Sequence, residues 1–355
     1  MDKIKVAILG ATGIVGQRFI ERLAEHPWFK IEYLASSPES KGKKFRDAVK
    51  WVLNPELPED IADIALGGSK ADDVPDNVDI VFSALPSSVA LDVELELAKR
   101  GFTVISNSSP LRLEADIPLI NPEVNYDHMN LIELQHKKRG WRGVIIKNPN
   151  CTTAILTLSL APILNLTNIE YLTITTMQSI SGAGLKGLPA YLIYDNIIPY
   201  IENEEYKVKN ETLKILSKLH NHRLIKPRFK IYVTATRVPV LDSHLEVVYL
   251  KLLKEVSLDE IIHELGRFSS LPQRLNLPTA PSKPIILRTE IDRPQPRLDR
   301  CAGNGMSIVL GRVESLDEEE NILRYVVLGN NTVRGAAGNS ILIAELYLKY
   351  YLGVI

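Results

Sequence analysis

One turn near the start of the chain constrains the fold more than any other feature. Gly10-Ala11-Thr12-Gly13-Ile14-Val15-Gly16 stands between residues 5–9, which after Lys5 read as the apolar pattern of a buried strand, and residues 14–24, where apolar side chains recur at helical spacing. Glycines in that place allow a tight turn and let the backbone approach a pyrophosphate at the helix N-terminus. The spacing is GxxGxxG rather than GxGxxG. What gives it weight is the strand–turn–helix context, which this chain supplies.

Further strands are expected over residues 30–35, 78–82, 102–106 and 144–147, separated by helices. Such alternation predicts a parallel sheet with right-handed crossovers. The pattern breaks at Asn148-Pro149-Asn150. Beyond Cys151 the texture changes: a helix over 152–164 is followed by long strands rich in Thr, Ile and Val over 170–180, 230–238, 244–252, 307–313 and 323–328. Helices are expected at 211–220 and 258–267, a proline-rich loop at 278–296, and an amphipathic helix at 335–351. The expected fold class is α/β: a Rossmann-type dinucleotide-binding domain over 1–150 and an α+β catalytic and oligomerisation domain with a mixed or antiparallel sheet over 151–330. The C-terminal helix, within 331–355, should pack back on the first domain. A chain of 355 residues suits two domains at about 150 residues each.

Composition excludes several roles. Lys plus Arg is 42 and Asp plus Glu is 43, a formal net charge of −1, which leaves no electrostatic footprint for nucleic acid or an anionic membrane. An anionic ligand would need a local cluster of Arg and Lys. No apolar run approaches the ~20 residues that span a bilayer, and the N-terminus is too short and charged for a signal peptide. Two cysteines, Cys151 and Cys301, fit a reducing compartment and no disulfide scaffold. The expected location is the cytoplasm. Neither a CxxC pair nor a His-rich spacing indicates a metal site.

The second strand ends in Ala35-Ser36-Ser37, with Ser40, Lys41, Lys43 and Lys44 beyond it. An NAD site usually places Asp or Glu there for the ribose 2′-hydroxyl. Hydroxyls and ammonium groups suit a 2′-phosphate instead, which points to NADP. Cys151 follows Asn148-Pro149-Asn150 and opens an apolar helix, a place where a thiol becomes nucleophilic and backbone N–H groups can hold an oxyanion. Cys301, after Asp299-Arg300, lacks that setting and is expected to be structural. A thiol needs a base. Of seven histidines, His244 lies in a turn beside Arg237, which could bind a carboxylate. His26, His128, His136, His220, His222 and His263 have polar, helix-like surroundings and are expected at the surface. Spacing alone leaves open whether His244 reaches Cys151.

Taken together, the N-terminal GATGxVG, Asn148-Pro149-Asn150-Cys151-Thr152-Thr153, Gln178-Ser179-Ile180-Ser181-Gly182-Ala183-Gly184, Arg237-Val238-Pro239-Val240 with His244, and Asn331-Thr332-Val333-Arg334-Gly335-Ala336-Ala337-Gly338 resemble the aspartate-semialdehyde dehydrogenase family, in its archaeal and fungal branch. The resemblance spans nearly the whole chain. It implies that Cys151 forms the acyl-enzyme, His244 is the acid–base group and Gln178 orients the substrate. Arg237 would pair with the substrate carboxylate and Glu204 with its amine, while Arg112 and Lys207, with Asn150 beside them, would bind phosphate. The glycine turn and the resemblance together imply NADP contacts at Gly10, Thr12, Gly13, Ile14, Val15, Ser36, Ser37, Ser40, Ser83, Leu85, Ser181, Gly182 and Asn331. The implied substrates are aspartyl phosphate, aspartate semialdehyde and phosphate, and the implied assembly is a homodimer or homotetramer. In one respect the chain departs from the family: Ser243 stands where a Gly usually precedes the histidine. A related group that reduces malonyl-CoA or succinyl-CoA shares the scaffold and the Ser-Gly-Ala-Gly and Thr-Val-Arg-Gly-Ala-Ala-Gly segments. The Pro-Asn-Cys-Thr-Thr and Arg-Val-Pro-Val forms favour the semialdehyde enzyme. An inert NADP-binding regulator would keep the glycine turn but lose the thiol and imidazole, and this chain keeps both.

Overall fold

Five parallel strands form the first sheet in the computed structural model, which describes residues 2–54, 56–317 and 321–355. They are β1 (Ile4–Leu9), β2 (Phe29–Ala35), β3 (Ile80–Ser83), β4 (Thr103–Ser106) and β5 (Val144–Lys147), in the order β2-β1-β3-β4-β5. Helices α1 (Ile14–Leu23), α2 (Ser87–Arg100) and α3 (Leu131–Arg139) make the crossovers. Because β2 and β3 flank β1 on opposite sides, the strand order reverses there, and the carboxyl ends of β1 and β3 open a crevice of the kind that takes nucleotides. Strands buried on both faces read as continuous apolar runs, and Ala7, Leu9, Val81, Val104 and Ile145 share one core.

The chain forms two compact units, Met1–Ile120 with Asp127–Pro149 and Ala336–Ile355, and Asn121–Tyr126 with Asn150–Gly335. The terminal helix does not match the amphipathic expectation. A π-helical stretch (Val333–Ala337) precedes α7 (Gly338–Leu346), and every α7 residue is buried. A helix apolar on all sides is a core helix, and α7 packs on α1 and β4. Two histidines also differ from expectation. His26 is buried, with Nε2 2.8 Å from Glu345 of α7 and Nδ1 accepting from the N–H groups of Trp28 and Phe29. His128 has no exposed surface.

The second unit carries a six-stranded mixed sheet: β6 (Ile169–Gln178), β7 (Lys230–Arg237), β8 (His244–Leu252), β9 (Ile285–Leu287), β10 (Ile308–Asp317) and β11 (Ile322–Gly329), ordered β9-β10-β11-β8-β6-β7. Helices α4 (Cys151–Leu166), α5 (Glu204–Ile215) and α6 (Leu258–Arg267) pack on it. β9 lies inside the stretch expected to be proline-rich loop and pairs in parallel with β10. The helix expected at 211–220 runs over Glu204–Ile215 instead, and residues 218–220 pair with 223–225 in a hairpin. Asn221 and His222, both at positive φ, make the two-residue turn that such a hairpin favours. Residues 121–126 are tied into this unit. Asn121 Nδ2 donates to Ala154 O and Thr157 Oγ1 at 2.9 Å, and the buried Arg334 clamps Glu123 at 2.6 and 2.8 Å.

Candidate active site

Asn150 caps α4. Its side-chain oxygen accepts from the Thr153 N–H at 3.2 Å, satisfying an amide that the helix itself leaves without a partner. Cys151 is thereby the first residue of the helix, where the amides and dipole favour a sulfur anion. Gly335 is required beside it, since a Cβ there would stand 2.5 Å from the Cys151 Cβ.

His244 opens β8, fully buried, with Nε2 3.1 Å from Cys151 Sγ. Ser243 before it has φ 85°, a conformation that favours glycine and that other residues adopt at a cost of about 1–3 kcal/mol. The turn survives the serine because Asn331 Oδ1 accepts the Ser243 N–H at 2.8 Å. The Ser179 N–H donates to His244 Nδ1 at 3.1 Å, so Nδ1 carries the lone pair and the proton of the neutral ring sits on Nε2, facing sulfur. Burial first, and then the Arg237 guanidinium, push the imidazole pKa down to about 3 against the pull of the Ser243 backbone. The pair is a neutral N–H donor against sulfur, with no imidazolium.

Arg237 ends β7 and donates to Ser179 O at 2.7 Å. Burial lowers its pKa, while Cys151 and Glu204 oppose that shift. Gly182 makes room for it: a Cβ would lie 2.6 Å from Arg237 Nη1 and 3.3 Å from His244 Cε1. Glu204, the first residue of α5, accepts from Asn150 Nδ2 at 2.9 Å and from Gln178 Nε2 at 3.0 Å. Glu211, two turns on, accepts the Asn150 N–H at 2.6 Å. The structure thus brings Cys151, His244, Gln178, Asn150, Glu204 and Arg237 into one network, with Lys207 half-buried one turn beyond Glu204. Asn331 and Ser181, expected at the cofactor, bond to each other, and Asn331 also accepts from Ser179 and Ser243.

In the first unit, Gly10 has φ 78°, and a Cβ there would stand 2.7 Å from Ala84 O. Gly13 meets nothing closer than Gly10 O at 3.4 Å, so its outer side is open to a ligand. Ile14 and Val15 start α1, and the hydroxyls of Thr12 and Ser36 are 2.9 Å apart, linking the glycine turn to the end of β2. Ser37 is exposed and Ser40 half-buried. Lys41 and Lys44 are paired with Asp73 at 2.7 Å and Asp63 at 3.1 Å, so this loop chiefly offers its hydroxyls and the exposed Lys43. An open glycine turn with no acid at the end of β2 fits a dinucleotide bearing a 2′-phosphate. At the end of β3, Leu85 is buried and the Ser83 hydroxyl donates to Glu94 at 2.8 Å. Arg112 is buried and donates to Asn107 O at 2.6 Å. Cys301 is exposed, which removes the structural role expected for it.

Three residues of the second unit's network carry no sequence signal of their role: Ser179, Glu211 and Gly335. Glu246, outside the network, has one, its place two residues after His244 on the same strand face.

Residues 5–132 match the family described as semialdehyde dehydrogenase, NAD binding domain, and residues 160–334 match semialdehyde dehydrogenase, dimerisation domain. The aspartate-semialdehyde dehydrogenase of Archaeoglobus fulgidus is 49% identical over 98% of this chain and 98% of its own. The malonyl CoA reductase (NADP) of Metallosphaera sedula is 39% identical over 98% of this chain and 97% of its own. Among solved structures, aspartate semialdehyde dehydrogenase with NADP from Candida albicans has a TM-score of 0.87 at 37% identity, covering 98% of both chains. The chain belongs to the semialdehyde dehydrogenase family, on the branch whose archaeal and fungal members include aspartate-semialdehyde dehydrogenases.

Proposed function

We propose that this protein is an NADP-dependent, phosphorylating aspartate-semialdehyde dehydrogenase, acting in the biosynthesis of lysine, threonine and methionine. The observation that carries the reading is the 3.1 Å contact of Cys151 with the Nε2–H of His244, set beside the Glu204–Gln178–Asn150 network and Arg237. Bound NADP supplies or accepts the hydride. Arg237 takes the substrate carboxylate, Glu204 its ammonium and Gln178 the orientation of the reacting carbon. The Cys151 thiolate adds to the aldehyde, and the Nε2–H of His244 hydrogen-bonds the new oxyanion, sharing its proton with it. As that shared proton returns fully to Nε2, the oxyanion collapses to a thioester on Cys151, the hydride being the one that bound NADP would accept. Phosphate, held by Arg112 and Lys207, attacks that thioester and leaves as the acyl phosphate, restoring the thiolate. Biosynthetic flux runs the same steps in reverse. Splitting the reaction at a thioester divides one hard step into two, and a donor fixed on the developing oxyanion is worth about 10²–10³-fold.

Among the described residues no helix is long and apolar enough to cross a membrane. The second unit exposes Tyr191, Leu192, Tyr194, Ile197, Tyr200 and Tyr206. Together with the matched dimerisation domain, that apolar surface supports a homo-oligomer, which we take to be a homodimer or homotetramer in the cytoplasm.

The test is NADPH oxidation by aspartyl phosphate against malonyl-CoA and succinyl-CoA. Aspartyl phosphate should turn over fastest, and Cys151→Ser should abolish turnover while NADPH still binds. Faster turnover of either CoA ester would overturn the substrate assignment and leave the thioester chemistry intact.

A further inference from the structure

Glu246 lies in the middle of the second unit's sheet with no exposed surface, and neither carboxyl oxygen has a hydrogen-bond partner among the described residues. It shares its face of β8 with His244 and Val248. Its cross-strand partners are Thr176 on β6 and Val327 on β11. The Gln178 amide touches Thr176 Oγ1 at 3.3 Å and Glu204 Oε1 at 3.0 Å, so one side chain spans from the residue opposite Glu246 to the proposed ammonium ligand. An ionised carboxylate so placed would carry a large desolvation cost with nothing to offset it, so the group is a neutral acid. Burial first, and then the charge of Glu204, hold its pKa well above the carboxylate range.

Among the described residues, the titratable groups around it offer no cation in bonding contact. On its own strand is His244, with both ring nitrogens engaged; on β11 is Tyr325, kept neutral by burial. On α4 is Cys151; on α5 are Glu204, Lys207, Glu211 and Lys214; on β7 is Arg237, bonded to Ser179 O. The inward residues of α6 are Ile261 and Leu265. A leucine would fill such a strand position at lower cost, and the neighbouring Val248 and Leu250 are apolar and buried.

We infer that Glu246 is the second carboxyl of the ammonium site: it holds a proton in the free protein and releases it to solvent when a cationic group docks against Glu204. The O–H bond of Glu246 breaks, the proton passes to buffer, and the arriving ammonium replaces its charge. Discrimination in favour of an α-amino substrate then strengthens with pH, at up to ~tenfold per pH unit while one proton is released per ligand bound. This rests on the substrate reading above.

The experiment measures kcat/KM for aspartate semialdehyde and for succinate semialdehyde, which lacks the amine, below about pH 7, where an α-amine is mostly charged. Their ratio cancels titration of the thiol and of the cofactor site. It should rise with pH in wild type and stay flat in Glu246→Gln. An equal slope in the variant, or a flat wild-type ratio, would overturn the inference. No turnover of aspartate semialdehyde at any pH would instead defeat the substrate reading. Infrared difference spectra of the intact wild-type protein provide a readout that does not depend on the variant folding. Adding aspartate semialdehyde should remove a carboxylic-acid carbonyl band that succinate semialdehyde leaves in place, and a band that persists with both would sink the proposal.

Discussion

Glu94 in the first unit and Glu246 in the second are both fully buried acids, yet their surroundings differ completely. Glu94 accepts from Ser83, Ser106 and Ser108 at 2.6–2.8 Å and is paired with the buried ammonium of Lys147. Burial first, opposed by Glu94, brings the Lys147 pKa down to about 8. Every partner sits at or beyond the carboxyl ends of β3, β4 and β5, so the network joins three strand ends to the loop that carries Ser108. Among the described residues, Glu246 has no bonded partner. A buried charge with a complete set of partners is scaffold, because removing any one of them strands the others. A buried acid without partners lowers stability, and such exceptions are kept where function needs them.

Mutation separates the two cases by sign. Glu94→Gln should lose about 3–5 kcal/mol of unfolding free energy, since it leaves the Lys147 ammonium buried without a counter-charge. Urea unfolding at neutral pH measures this, and a loss below about 1 kcal/mol would remove Glu94 from the scaffold. Glu246→Leu should gain about 1–3 kcal/mol, the desolvation penalty of an unsatisfied polar group. The gain must depend on pH. Below the unfolded value, near 4.5, Glu246 is protonated in both states and costs no proton uptake. Above it the unfolded chain ionises while the fold keeps the proton, so wild-type stability falls as pH rises. The leucine advantage should therefore be larger at pH 7 than at pH 4.5, and a pH-independent difference would contradict the protonated assignment.

What was legible in the sequence follows the same physics. β5, β8 and α6 begin and end where apolar periodicity places them, because strand alternation and the Ser257–Glu260 capping box are local signals. The start of α5 was not legible: Asn203 enters it at positive φ, and its first turn, Glu204-Glu205-Tyr206-Lys207, is mostly polar, with no apolar stripe to reveal it. The burial of α7 was equally hidden, since a helix covered on all sides has no polar face to set its period. At the site, the glycine turn and the Asn-Pro-Asn-Cys turn could be read directly. The pairing of Cys151 with His244, 93 residues apart, came only through family resemblance. The tautomer of His244 depends on a backbone N–H from Ser179, and no residue type encodes that. Glu246 was visible as an acid in strand alternation, but its isolation appears only once every neighbour is placed.

Asp116 gives the comparison its finest test, because it is buried like Glu94 but has one partner to spare. Arg139 holds it through Nε and Nη2, and Lys138, with about half its side chain exposed, adds a bond of 2.8 Å. Burial by itself would raise the Asp116 pKa, but the bonds from Arg139 and Lys138 outweigh it and hold the carboxyl below its usual 3.8. Lys138→Ala leaves the acid still paired with Arg139, so the cost at neutral pH should stay below about 1 kcal/mol, as for other partly exposed ion pairs. A depressed folded pKa means that this stabilisation is complete above about 3.8 and is lost as pH falls through the folded value. At a pH low enough to protonate Asp116 in both proteins, wild type and variant should unfold together. Thermal unfolding at neutral and acid pH reads both numbers. A cost that persists unchanged in acid would assign the effect of Lys138 to packing of its stem, and a neutral-pH cost above about 2 kcal/mol would show that a remaining partner does not protect a buried acid.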